Sequence, residues 1–313
     1  MNIRYFGVSK YSAMIIKGGN KVVTTFKTKI LTTKEEIDKV TSMQSSSSEQ
    51  NYYLKQAIQD GKIKLEDCYI LEHNHEVIAR AIIMNGCYLG LYTLENIDEE
   101  NANEFLAKVL KQYPNRKFRT DLYSDKKNYD TVFSSLLANG FKDIIHKESY
   151  TIQVAPVHRD SKLSFKAIDL NDETLLVDLF IQTSRDNKDS KILKEIKEKG
   201  LKDGSRDFFL ELKQLDFERK LWVIAYFENK PIGFIIITRL TDSDAGIGYI
   251  GVVPEYRGNH FSQDLLYKAI NLAYQYKIKK LIADIDVENY PMRNNLINCG
   301  FTLDCNEILF LRE

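Results

Sequence analysis

The six residues Arg257-Gly258-Asn259-His260-Phe261-Ser262 join a β-branched run to a helical one, and this junction is where the chain first offers chemistry. A glycine-containing loop that runs straight into a helix leaves several backbone N–H groups unpaired at the positive end of the macrodipole. Such an end holds phosphate. A diphosphate would therefore rest on the amides of Arg257 to Ser262, and an amide-bearing arm attached to it would extend along the edge of the run Gly248 to Val253. Further on, Asp284 and Asp286 alternate onto one face of a second β run. Asp284 is the first candidate for taking up a proton and Asp286 the reserve. An aspartate near its ordinary value of about 3.9 is a feeble base, so either burial raises it or water relays the proton.

The elements that must position these groups are visible in the periodicity. Leu221 to Phe227 and Pro231 to Thr238 flank Glu228-Asn229-Lys230 as a hairpin would. Gly246 to Val253 is a further strand. Beyond the Arg-Gly turn, Leu265, Leu266, Ala269, Ile270 and Ala273 recur at helical spacing. Lys280 to Ile285 forms the next strand, Met292 to Asn298 a helix stopped by Gly300, and Glu307 to Leu311 is expected to close this sheet. Strand, helix, strand, helix after a hairpin implies α/β architecture with a mixed, mostly antiparallel sheet flanked by helices.

The first half repeats this order. Cys68 to Leu71, a turn at His73-Asn74-His75, and Val77 to Met84 mirror the hairpin; Cys87 to Thr93, Glu100 to Gln112, Phe118 to Tyr123 and Thr131 to Ala138 follow in the same sequence. Gly140-Phe141 has its counterpart in Gly300-Phe301, 160 residues later. Two tandem domains of one fold are therefore expected, residues 1–155 and 160–313, joined near Val154 to Lys162; two unrelated halves sharing an element order is the alternative. In the first repeat the loop Leu94 to Glu100 is acidic and has no Arg-Gly turn, so that domain is expected not to bind a phosphorylated ligand. The serine run Ser45 to Ser48 marks a loop, and Ser184 to Ser205 is a charged stretch expected to cap the acceptor site.

Composition narrows the class. Lys+Arg and Asp+Glu are each 44, so no basic excess exists to neutralise nucleic acid or an anionic membrane. No stretch approaches the roughly 18 apolar residues of a membrane helix, and the N-terminus lacks a signal-peptide core. Cys68, Cys87, Cys299 and Cys305 follow no CxxC pattern, which reads as reduced thiols in a cytoplasmic protein. The two histidines of His73-Asn74-His75 lack a third ligand, so no metal is expected.

The run Gly248-Tyr249-Ile250-Gly251-Val252-Val253-Pro254-Glu255-Tyr256-Arg257-Gly258 resembles the signature strand and loop of the GNAT superfamily of N-acetyltransferases. Asp284-Ile285-Asp286 with Asn289, Pro291, Met292 and Gly300-Phe301 resembles that superfamily's second motif in the form of tandem members. The resemblance implies two GNAT-like domains, the first degenerate. It also implies acetyl-CoA as acyl donor, bound by Val252, Val253, Arg257, Gly258, Asn259, His260, Phe261, Ser262 and Asn289, with Asp284 as base. The amides of Val252 and Val253 would polarise the acyl carbonyl where the sheet splays open. The acceptor would be a primary amine on a small molecule or peptide, and the protein a monomer or homodimer. Two departures stand out: His260 occupies a position where the family carries glycine, and Leu296 occupies that of its frequent tyrosine acid, for which Tyr249 or Tyr290 would have to substitute. A catalytically lapsed binding or structural module is the competing expectation.

Overall fold

The computed structural model describes residues 26–41, 43, 48–94, 97–168, 173–214 and 218–313. The readings made above for Met1 to Lys10, for Ser45 to Ser47 and for Glu95-Asn96 lie outside them. The strands are β1 (Phe26–Ile30), β2 (Cys68–His73), β3 (Glu76–Met84), β4 (Tyr88–Thr93), β5 (Phe118–Tyr123) and β6 (Lys142–Gln153). They continue as β7 (Ser164–Ala167), β8 (Trp222–Phe227), β9 (Lys230–Arg239), β10 (Asp244–Val252), β11 (Lys280–Asp286) and β12 (Thr302–Arg312). The helices are α1 (Ile37–Thr41), α2 (Ser48–Gln59), α3 (Glu99–Leu110), α4 (Tyr129–Ala138) and α5 (Glu173–Thr183). After these come α6 (Ser190–Lys199), α7 (Leu201–Gln214), α8 (Phe261–Gln275) and α9 (Tyr290–Asn298).

The chain divides into two compact units, one ending at Ile145 and completed by Glu307–Glu313, the other spanning His146–Asn306. In the first, β1, β2, β3 and β4 pair antiparallel in turn, β4 meets β5 in parallel, and β5 pairs antiparallel with β12. In the second, β7, β8, β9 and β10 pair antiparallel in turn, β10 meets β11 in parallel, and β11 pairs antiparallel with β6. Within each unit the pairing is thus mixed and mostly antiparallel, with one strand order and one pattern of directions. The expected closing strand behaves differently from its sequence reading: Glu307 to Arg312 pair with Tyr123 to Phe118 of β5, so the chain's end completes the first unit, while β6 completes the second. The expected join near Val154 to Lys162 falls inside the second unit.

The packing explains these elements. In the first unit Phe105, Leu106 and Val109 of α3 and Leu136 of α4 bury against Ala79, Ala81, Leu89 and Phe118, joined by Ile308 and Phe310 of β12. A separate cluster sets Ile37, Val40 and Ile58 against Cys68, Ile70 and Ile82. In the second unit Leu265, Leu266, Ala269, Ile270 and Ala273 of α8 form the predicted apolar stripe and are fully buried; each leucine so placed contributes about 2 kcal/mol of transfer free energy. Phe180 of α5, Phe208 and Phe209 of α7, Phe234 and Tyr249 form an aromatic cluster, with Phe234 stacked on Tyr249 at 5.1 Å. The His73-Asn74-His75 segment is the β2–β3 turn, with Asn74 and His75 at positive φ. Among the described residues no helix is long and apolar enough to cross a membrane.

Candidate active site

In the second unit β10 and β11 part company. Only Asp244, Ala245 and Gly246 pair with β11, opposite Lys280, Leu281 and Ile282; from Ile247 onward β10 keeps only its β9 neighbour. The opened edge is where a ligand backbone can pair. Val253 donates its N–H to Ile232 O at 2.8 Å, on the β9 side. The expectation that both Val252 and Val253 amides reach a ligand arm is therefore corrected: Val253 is committed to the sheet. Successive amides of a strand alternate edges, so that of Val252 faces the opening. Its carbonyl, on the same edge, accepts from Arg257 Nε at 3.0 Å.

The loop after β10 makes a short 3₁₀ turn at Pro254–Tyr256 and then turns twice through positive φ, at Gly258 (82°) and His260 (61°), before α8 begins. Among the described residues no acceptor is found for the amides of Gly258, Asn259, His260, Phe261 and Ser262, whereas Gln263 N reaches His260 O at 3.0 Å. Five consecutive unpaired donors at the start of a 15-residue helix form an arrangement that suits an anion. The loop is braced around them. Asn259 Nδ2 donates to Tyr256 O at 3.1 Å, Phe261 is buried with its ring 5.2 Å from that of Phe227, and Ser262 Oγ accepts from Asn295 Nδ2 at 2.8 Å. His260 is exposed and makes no side-chain cap.

Arg257 does something other than lie free for a phosphate. Its amide donates to Pro254 O, and its guanidinium donates to Val252 O, to Thr183 O at 3.0 Å and to Arg185 O at 2.9 Å. It thereby fastens the loop to the end of α5. Thr183 in turn lies against β10 so closely that a Cβ on Gly251 would sit 2.7 Å from Thr183 Cβ, which is why that position is glycine. Residues 184–189 continue as a strap to α6. Asn187 Nδ2 donates to Tyr249 Oη at 3.0 Å, Asp189 N donates to Asn187 Oδ1 at 2.8 Å, and Ser190 N donates to Asp286 Oδ2. Burial pushes the Tyr249 phenol up, so it keeps its proton while its oxygen accepts from Asn187.

These elements enclose a cavity of about 310 Å³ lined by the strap, the end of β10, the loop and the start of α9. It gathers Val252, Arg257, Gly258, His260, Phe261, Ser262 and Asn289, with Thr183, Asp186, Asn187, Lys188 and Asn295, which the sequence reading missed. Val253 and Asn259 are not on its lining. Asn289 caps α9 by accepting from Met292 N at 3.4 Å. Nor does Asp284 line it: that carboxylate is exposed on β11, two residues past the last one paired with β10, and has no hydrogen bond or ion pair among the described residues. Asp286, on the same face, is 5% exposed and holds the N-terminus of α6, while its Oδ1 has no partner. Leu296 is a fully buried core residue.

The corresponding place in the first unit is built otherwise. There β4 and β5 pair only at Tyr88 and Arg119, so they too diverge, but Asn128 Nδ2 donates to Thr93 O at 2.7 Å across the gap. The N-terminus of α3 is filled by its own Asp98, whose carboxylate accepts from Asn101 N at 2.8 Å, followed by Glu99 and Glu100.

Residues 190–301 match the acetyltransferase (GNAT) family profile. A search of curated proteins finds no match. Among solved structures the chain is similar to a GCN5-related N-acetyltransferase from Sphaerobacter thermophilus, at 10% identity and a TM-score of 0.64 over 92% of this chain and 95% of that one. A tandem GNAT protein from the clavulanic acid biosynthesis pathway superposes at 10% identity and a TM-score of 0.54, covering 93% and 98%. A GNAT-family acetyltransferase from Colwellia psychrerythraea gives 14% identity and 0.52, covering 86% and 98%. At such identities these structures speak for the fold, and the profile for the family over the residues it matches. The splayed β10–β11 pair and the five unpaired amides beside it fall within residues 190–301, which form a GNAT-family acetyltransferase segment.

Proposed function

We propose that the protein is an acetyl-CoA-dependent N-acetyltransferase that acylates a primary amine of a small molecule or peptide. The observation that carries this reading is the set of free amides from Gly258 to Ser262 beside the unpaired edge of β10. The family typically uses acyl-CoA, and the residues fit it: the diphosphate rests on the loop amides, the pantetheine arm pairs along Ile250 to Val252, and Val252 N–H faces the thioester carbonyl. The amine nitrogen attacks the carbonyl carbon, the C–S bond breaks, and the sulfur leaves as a thiolate. A thiol of pKa about 8.5 tolerates that without a tyrosine acid, so Leu296 in that position need not abolish turnover. The attacking amine, near 10.4 in water, must lose a proton, and exposed Asp284 receives it through water. The two units read as tandem GNAT-like repeats, of which only the second keeps the cradle. The acting protein is a cytoplasmic monomer or homodimer without nucleic-acid or membrane partners.

Leu296 and His260, both departures from the family pattern, favour the alternative of a binding module that has lost turnover. Acetyl-CoA at a hundred times its Kd raises stability by about 2.7 kcal/mol, read as a saturable rise in Tm. No rise at millimolar ligand would sink the coenzyme assignment. Asp284→Asn should leave that rise intact and cut amine-dependent coenzyme release by roughly 10²-fold or more; undiminished release removes Asp284 from the chemistry.

A further inference from the structure

Five ionisable side chains line the cavity: Asp186, Lys188, Tyr256, Arg257 and His260. The guanidinium of Arg257 is spent on the carbonyls of Val252, Thr183 and Arg185, which holds it against the strap. Lys188 is in the opposite situation. It is exposed, and no hydrogen bond or ion pair engages its ammonium among the described residues. Its neighbours on both sides are pinned, Asn187 by the Tyr249 hydroxyl and Ser190 by Asp286. A free cation thus stands on a fixed stretch of backbone, in the wall of the same cavity that Gly258, His260, Phe261 and Ser262 line.

We propose that Lys188 is the cationic clamp for the diphosphate of the coenzyme, acting from the strap while the amides of Gly258 to Ser262 hold it from the loop. This rests on the acyl-CoA reading of the cavity. A lysine serves such a role as a compact point charge on a flexible stem, whereas an arginine in the loop is already committed to backbone carbonyls. Asp186 lines the same wall and its charge opposes the clamp, while the charge of Arg257, whose donors are spent on neutral carbonyls, adds to it. The chemical class recognised is a phosphoanhydride joined to an amide-bearing arm.

The test is calorimetric titration of the full chain with acetyl-CoA and with an acetylated pantetheine thioester that lacks the nucleotide and diphosphate. Lys188→Gln should raise the Kd for acetyl-CoA roughly three- to tenfold, the range expected of one partly exposed charge-assisted contact, and leave the truncated thioester unaffected. Lys188→Arg should restore most of the loss. Between about 50 and about 500 mM NaCl the wild type should weaken more steeply than Lys188→Gln, because the variant has one less charge to screen. Unchanged acetyl-CoA affinity in Lys188→Gln, equal weakening of both ligands, or identical salt slopes overturns the clamp. A wild type that binds no acetyl-CoA overturns the coenzyme reading itself, and the clamp with it.

Discussion

His260 is the first residue before α8 and sits at φ 61°, ψ 13°, a left-handed conformation that costs a side chain with a Cβ roughly 1 kcal/mol or more. Glycine enters that region without the penalty. His260→Gly should therefore raise unfolding free energy by about 1 kcal/mol in a denaturant titration, with the loop shape retained; a loss of similar size would show that the imidazole itself holds the loop. At this scale much of the site was legible. The amides of Gly258 to Ser262 follow from a glycine turn feeding a helix, and their freedom follows from helix geometry alone. Arg257 and Val253 were misjudged for one reason: whether a donor is free depends on acceptors distant in sequence, here Thr183, Arg185 and Ile232. Lys188 carried no signal at all. An isolated lysine in a charged stretch looks like any solvated residue until the strap bearing it is seen to wall a cavity.

Elements were more readable than their partners. The hairpin β8–β9, the strand β10, the helix α8 and its apolar stripe all stand where the periodicity puts them, because each is fixed by local turn chemistry and burial. The charged stretch from Ser184 to Ser205, expected as a cap over the acceptor site, consists of the strap, α6 and the start of α7. Its lysines and glutamates are the outer face of α6, where Lys199 pairs with Glu195 at 2.8 Å, while Ile192 is buried. Charge density marked an exposed helix face and masked the buried stripe beneath. The pairing of β12 with β5 was beyond reach, since a strand's pattern tells which face is buried and not which edge it will join. Ile308 and Phe310 are buried as that pattern implies, which fixes their face and leaves the partner strand open.

Taken whole, the described residues show the same strand order twice and the run of five unpaired amides at a helix start once. In the first unit the gap between β4 and β5 is crossed by Asn128, and a carboxylate already occupies the N-terminus of α3. One acetyl-CoA per chain is the expected stoichiometry, measurable by native mass spectrometry or from the inflection of a calorimetric titration; two would mean that the first gap opens. The duplication was visible in the sequence because Gly-Phe dipeptides and hairpins recur in register. The exchange of closing strands left no such trace.

That exchange bears on how the protein is made. A ribosome releases β1 to β5 long before Glu307 to Arg312, yet Phe310 is wholly buried among their side chains. The half synthesised first must wait with an uncovered strand edge until Glu307 to Arg312 are translated, and that interval is when association with other nascent chains threatens most.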